Sequence, residues 1–246
     1  MNEITPTTYI TYFVSALLLG LLFFATGNIS EALQIDSLDI IIKILIIIAI
    51  CIYAARRDEF NSFFNIDFSP VYLLIIVIPV IFSFILQNCP LDFEPYPSFV
   101  ITTVVGTITT AIWEELYFRY VGCSLFSDEN GKYKWYNVIF LAVAFSIGHI
   151  FNLFFNGSTA TFNQIFFTIG LGIFLLALYI HTRSILVPII AHFCINSVAD
   201  YFTLYATEEA QAMAYIGDFF NQFLAVYIIV LIVLGFIILK RHDHLG

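Results

Sequence analysis

Eight apolar runs decide most of what this chain can become. They lie at about 9–27, 38–55, 70–88, 98–125, 135–155, 162–180, 184–203 and 218–240. A stretch of about 20 apolar residues is long enough to cross the hydrocarbon of a bilayer as an α-helix. Only 11% of the residues are charged and the mean hydropathy is +0.94, against roughly a quarter charged in a soluble domain. The expectation is an all-α polytopic membrane protein: a bundle of eight transmembrane helices forming one domain over residues 1–246. The first run has no lysine or arginine before it and is not read as a signal peptide. A net charge of −9 argues against a nucleic-acid partner. Cys51, Cys89, Cys123 and Cys194 lack metal-ligand spacing and read as small packing residues.

Charge asymmetry orients the eight runs. With both termini cytoplasmic, Arg56, Arg57, Lys132, Lys134, Arg183, Lys240 and Arg241 all fall on the inner side. The outer loops then hold only acidic groups, as the positive-inside rule requires. Lys43 sits near the outer end of the second run and is expected to snorkel outward. The segment 56–69 mixes aromatic and polar residues and is read as a surface-lying stretch.

A few polar groups remain within the runs. The fourth carries Glu114, Glu115 and Arg119 in AIWEELYFRY; the fifth carries His149 and Asn152 in FSIGHIFN; the seventh carries His192 and Asn196 in PIIAHFCIN. At about 1.5 Å per residue, Glu114, His149, His192 and Asn196 come to about 12–21 Å from the inner ends of their helices. Charge in hydrocarbon is costly and marks a functional position by default, and three helices meeting in one layer point to a shared site. Adjacent glutamates point about 100° apart, so they need not act alike. Glu115 and Arg119, at i,i+4, form an internal ion pair and leave Glu114 the freer carboxylate. His192 and Asn196 share one face. Phe145, His149 and Asn152 form a stripe on another.

Glutamate with histidine suits the activation of water for attack on a carbonyl. Asparagine and a second histidine supply donors to a developing oxyanion, worth about 3–4 kcal/mol when well placed. No serine, threonine or cysteine is placed as a nucleophile. A zinc site built from Glu114, His149 and His192 is the metal alternative. A non-catalytic membrane adaptor or immunity protein, or a transporter, would retain such a cluster for folding, binding or flux.

Glu-Glu-x-x-x-Arg at 114–119, Phe-x-x-x-His at 145–149 and His-x-x-x-Asn at 192–196 resemble the three motifs of the CPBP family. These are the CAAX-protease and bacteriocin-processing intramembrane enzymes related to the type II CAAX prenyl endopeptidases. The resemblance covers about 98–203. It implies an intramembrane glutamic protease that needs no metal or other cofactor. Glu114 would be the catalytic glutamate and His149 its partner in activating water. His192 and Asn196 would face the oxyanion, with Glu115 and Arg119 in support. The implied substrate is a membrane-associated protein or peptide, and the implied location is the plasma membrane.

Overall fold

A computed structural model describes residues 4–33, 38–57, 69, 71–87, 97–128, 132–205 and 218–241. The elements in chain order are α1 (Pro6–Leu33), α2 (Leu38–Arg56), α3 (Val71–Gln87) and α4 (Pro97–Glu115). A π-helical turn, Leu116–Val121, carries α4 into the short α5 (Gly122–Phe126). Next come α6 (Trp135–Ile147), a 3-10 segment Gly148–Asn152, α7 (Leu153–Thr182), α8 (Leu186–Tyr205) and α9 (Asp218–Arg241). The architecture is an all-α, multi-pass membrane bundle.

The eight-span expectation is corrected. Among the described residues five helices are long and apolar enough to cross a membrane: Pro6–Ile29, Leu38–Arg56, Trp135–Asn152, Gly157–Thr182 and Phe223–Lys240. The runs expected at 70–88, 98–125 and 184–203 fall short. Among the described residues the apolar stretches Leu74–Ser83 of α3 and Leu186–Asp200 of α8 are shorter than a span. In α4 five threonines and two terminal glutamates dilute the hydropathy, and the α-helical ladder gives way to the π turn directly after them. The topology with both termini cytoplasmic depended on an even count of eight. The extreme termini and most of the 56–69 surface stretch lie outside the described residues.

Local chemistry fixes several element ends. Thr5 caps α1, with its hydroxyl 3.3 Å from the Thr8 amide, and Pro6 occupies the first helical position, where no N–H is needed. Gly157 takes a positive φ of 74° and breaks the start of α7, so the apolar span begins there. At the other end Arg183 is left-handed (φ 51°), and its amide donates to the Tyr179 carbonyl at 2.8 Å.

Buried polar side chains join the helices. The Tyr9 hydroxyl donates to Asn137 Oδ1 at 2.6 Å, and Asn137 Nδ2 donates to the Phe126 carbonyl at 3.1 Å. These bonds lock α1, α5 and α6 together. The Tyr227 hydroxyl donates to the Pro79 carbonyl at 2.7 Å and lies 2.9 Å from Ser83 Oγ, tying α9 to α3. Between them α7 supplies the most deeply buried wall, with Phe174, Leu175, Ala177 and Leu178 fully enclosed. It packs α9 on one side and α6 on the other. The α8 helix packs against α3 and α4, and α1 lies along the 3-10 segment. That arrangement brings α1, α2, α4 and the 3-10 segment around one opening.

Candidate active site

Glu114 and Glu115 end α4, where the helix widens into the π turn. π turns of this kind are frequent at functional sites. The two carboxylates diverge as their spacing requires. Glu115 is fully buried. Its Oε1 accepts from His192 Nδ1 at 2.7 Å, and its Oε2 lies 3.0 Å from Arg119 Nε. The second distance is that of an ion pair, but the two groups are not aligned as a hydrogen bond. Nη1 and Nη2 of Arg119 are buried with no hydrogen-bond partner among the described residues. The guanidinium instead lies over the Phe145 ring, 4.3 Å from its centroid, a cation–π contact.

Glu114 keeps a 12% exposed side chain and faces an open cleft of about 250 Å³. Its Oε2 is 3.6 Å from His192 Nε2. His192 thus stands between the two glutamates, bonded to the enclosed one and near the open one. With Nδ1–H donating to Glu115, the neutral ring presents a bare Nε2, and only the doubly protonated ring donates there. Two carboxylates, one guanidinium and one imidazolium would leave the cluster without net charge.

His149 reaches the same cleft from the 3-10 segment. Phe145 holds both histidines edge-on: its centroid is 5.7 Å from His149 and 5.9 Å from His192. The buried Nδ1 of His149 has no well-formed hydrogen bond among the described residues, although the Phe145 and Ser146 carbonyls face the ring. Asn152 also lines the cleft and donates to Gln164 Oε1 at 2.8 Å. Asn196 is half-buried one turn beyond His192 on α8, and neither of these two lines the cleft.

Geometry therefore gathers Glu114, Glu115, Arg119, Phe145, His149 and His192 from three segments. The 2.7 and 3.6 Å contacts of His192 fasten α8 to α4. Among the described residues no three His, Cys, Asp or Glu side chains are grouped as a metal site requires. The alternative set Glu114, His149 and His192 is thus not such a group.

Several lining residues escaped the sequence reading. Phe23 of α1 and Trp113 of α4 form an aromatic wall, with ring centroids 4.5 Å apart. Gly20 of α1 presses on the 3-10 segment so closely that a Cβ there would sit 2.6 Å from the Gly148 carbonyl oxygen. Lys43 reaches back along α2 to Asp39 in its first turn, with Nζ 2.7 Å from Oδ2, and also lines the cleft, 5.9 Å from the Phe23 centroid. A glycine directly before the histidine was the visible sign of close packing; nothing in the sequence marked Lys43.

Comparison with known families matches residues 96–198 to the family described as Type II CAAX prenyl endopeptidase Rce1-like. An Rce1-like domain is present over that stretch. It contains all eight residues singled out from the sequence, whereas α1 and α2, which complete the cleft, precede it. No curated protein matches the chain.

Proposed function

We propose that the protein is an intramembrane peptide hydrolase in which Glu114 and His149 activate water at the inner wall of the cleft. One observation carries this reading: of two adjacent glutamates, one is held by Arg119 and His192 and the other opens to the cleft that His149 also lines. The Rce1-like match over the same residues supports peptide-bond chemistry.

In the proposed cycle a water bound between Glu114 and His149 gives one proton to this pair. Its oxygen adds to the scissile carbonyl, forming a tetrahedral intermediate with a negatively charged oxygen. His192, protonated on Nε2 and 3.6 Å from Glu114, donates to that oxygen; Asn196, away from the cleft lining, is assigned as a second donor on its i,i+4 spacing from His192 alone. Collapse of the intermediate breaks the C–N bond, and the stored proton passes to the leaving amine. Glu115 and Arg119 hold His192 and the end of α4 in place. The substrate is a membrane-associated protein or peptide entering from the bilayer of the plasma membrane. No cofactor is assigned a part.

Substrate trapping tests the reading. Protein in lipid nanodiscs is incubated with membrane-associated peptides, and products are identified by mass spectrometry. Wild type should cleave at a defined bond. Glu114→Gln and His149→Ala should bind the same peptide and cut at least about 100-fold more slowly, the range of a lost general base. Undiminished cleavage by Glu114→Gln would sink the mechanism. Loss of cleavage in Asn196→Ala with unchanged peptide binding is the result expected of an oxyanion donor.

A further inference from the structure

The π turn that follows the two glutamates does not complete its own hydrogen bonding. At its end the Gly122 amide donates to the Tyr117 and Arg119 carbonyls. In an α-helix that amide would serve Phe118, four residues back. It skips the Phe118 carbonyl in a buried part of the bundle, where a backbone acceptor left unpaired is costly.

Tyr12 of α1 meets this gap from outside the Rce1-like stretch. Its buried hydroxyl lies 3.5 Å from the Phe118 carbonyl oxygen and 3.5 Å from that of Tyr117, a donor shared across the turn. The two tyrosine rings stack, 5.5 Å between centroids and 2° from parallel. Ser15 adds a second grip: its Oγ donates to the Tyr12 carbonyl at 2.8 Å and accepts from the Tyr117 hydroxyl. Gly122 is what admits the Tyr12 hydroxyl. A Cβ there would sit 2.7 Å from Tyr12 Oη.

Width of the turn matters because Arg119 lies within it. Narrowing it to an α turn would rotate the side chains beyond by about 100° relative to the glutamates. Arg119 would then leave either Glu115 or the Phe145 ring, which it now meets together. We infer that Tyr12 is a positioning residue for the site. Its hydroxyl stands in for the skipped amide and holds the turn wide, which keeps Arg119 between Glu115 and Phe145 and leaves Glu114 to the cleft. The effect on cleavage rests on the peptide-hydrolase reading; the effect on the geometry of the cluster does not.

Tyr12→Phe, Gly122→Ala and the double variant, each in lipid nanodiscs, test this by NMR of labelled arginine and histidine and by peptide cleavage. Tyr12→Phe keeps the stacked ring and loses only the hydroxyl. It should move the Arg119 and His192 signals and lower kcat about tenfold, the scale of one hydrogen bond. KM should hold, because Tyr12 does not line the cleft. Gly122→Ala displaces the same hydroxyl and should move the same signals. The double variant should be no worse than the worse single one, since one bond is lost only once. Unmoved signals in Tyr12→Phe, a raised KM in place of a lowered kcat, or additive losses in the double variant overturn the role. If Gly122→Ala does not fold, the signals of Tyr12→Phe decide alone. Shifted signals in a protein whose wild type cleaves no peptide would refute the hydrolase and keep the positioning role. Cleavage by wild type with Tyr12→Phe unchanged in both rate and signals would do the reverse.

Discussion

At the scale of single residues, the site rests on two neighbouring glutamates in unlike surroundings. Removing the Glu115 charge strands Arg119, whose side chain is only 2% exposed, and breaking a buried pair from one side costs about 3–5 kcal/mol. Glu115→Gln should therefore lower the thermal unfolding midpoint in detergent markedly. Glu114→Gln should leave it near wild type while abolishing cleavage. That separation of stability from activity is the clearest test of the division of labour. Phe145 is the common neighbour of Arg119, His149 and His192. Phe145→Leu stays apolar but removes the ring, forfeiting a cation–π contact of about 0.5–2 kcal/mol and leaving a small cavity. Cleavage should fall about tenfold, with both histidines reporting changed ring environments by NMR.

At the scale of elements, the site lies where regular helix stops. Glu114 and Glu115 precede a π turn, and His149 sits in a 3-10 segment. Regular periodicity was enough to anticipate the Glu115–Arg119 pair and the separation of Glu114 from it. The same periodicity assumed straight α-helices, so both irregular segments were invisible to it. A π turn uses no special residue type, and LYFRYV reads like any helix interior. The place of Lys43 in the cleft lining was hidden for another reason: it depends on how α2 packs beside α1 and α4, which spacing along one helix does not encode. Contact between α1 and the 3-10 segment gives a graded test with glycines. Gly20→Ala drives a methyl against Gly148 backbone at 2.6–2.9 Å and must displace His149 or α1. Gly148→Ala meets ordinary contacts at 3.7 Å, and Gly27→Ala meets nothing within 4 Å. Cleavage rates should rank Gly27→Ala near wild type, Gly148→Ala slightly reduced and Gly20→Ala lowest. A raised rate of His149 modification by diethyl pyrocarbonate in Gly20→Ala would locate the cause at the histidine.

At the scale of the whole molecule, the described helices are not a set of eight equals: five are long and apolar enough to span, and others are shorter. The α3 helix has 17 residues, about 26 Å at 1.5 Å per residue. A typical hydrocarbon core is about 30 Å thick. Lipids beside α3 must compress, at a cost of fractions of a kcal/mol per Å of mismatch. Reconstitution in phosphatidylcholines of increasing acyl-chain length checks this: unfolding temperature and cleavage rate should both be highest in the shorter-chain bilayers and decline as chains lengthen. Compression has a further consequence for supply. A locally thinned leaflet draws headgroups and their water toward the midplane, so the reactant that Glu114 must activate has a shorter distance to travel. Membrane thickness then acts as a control on turnover, and the protein would work best where the lipid is thin.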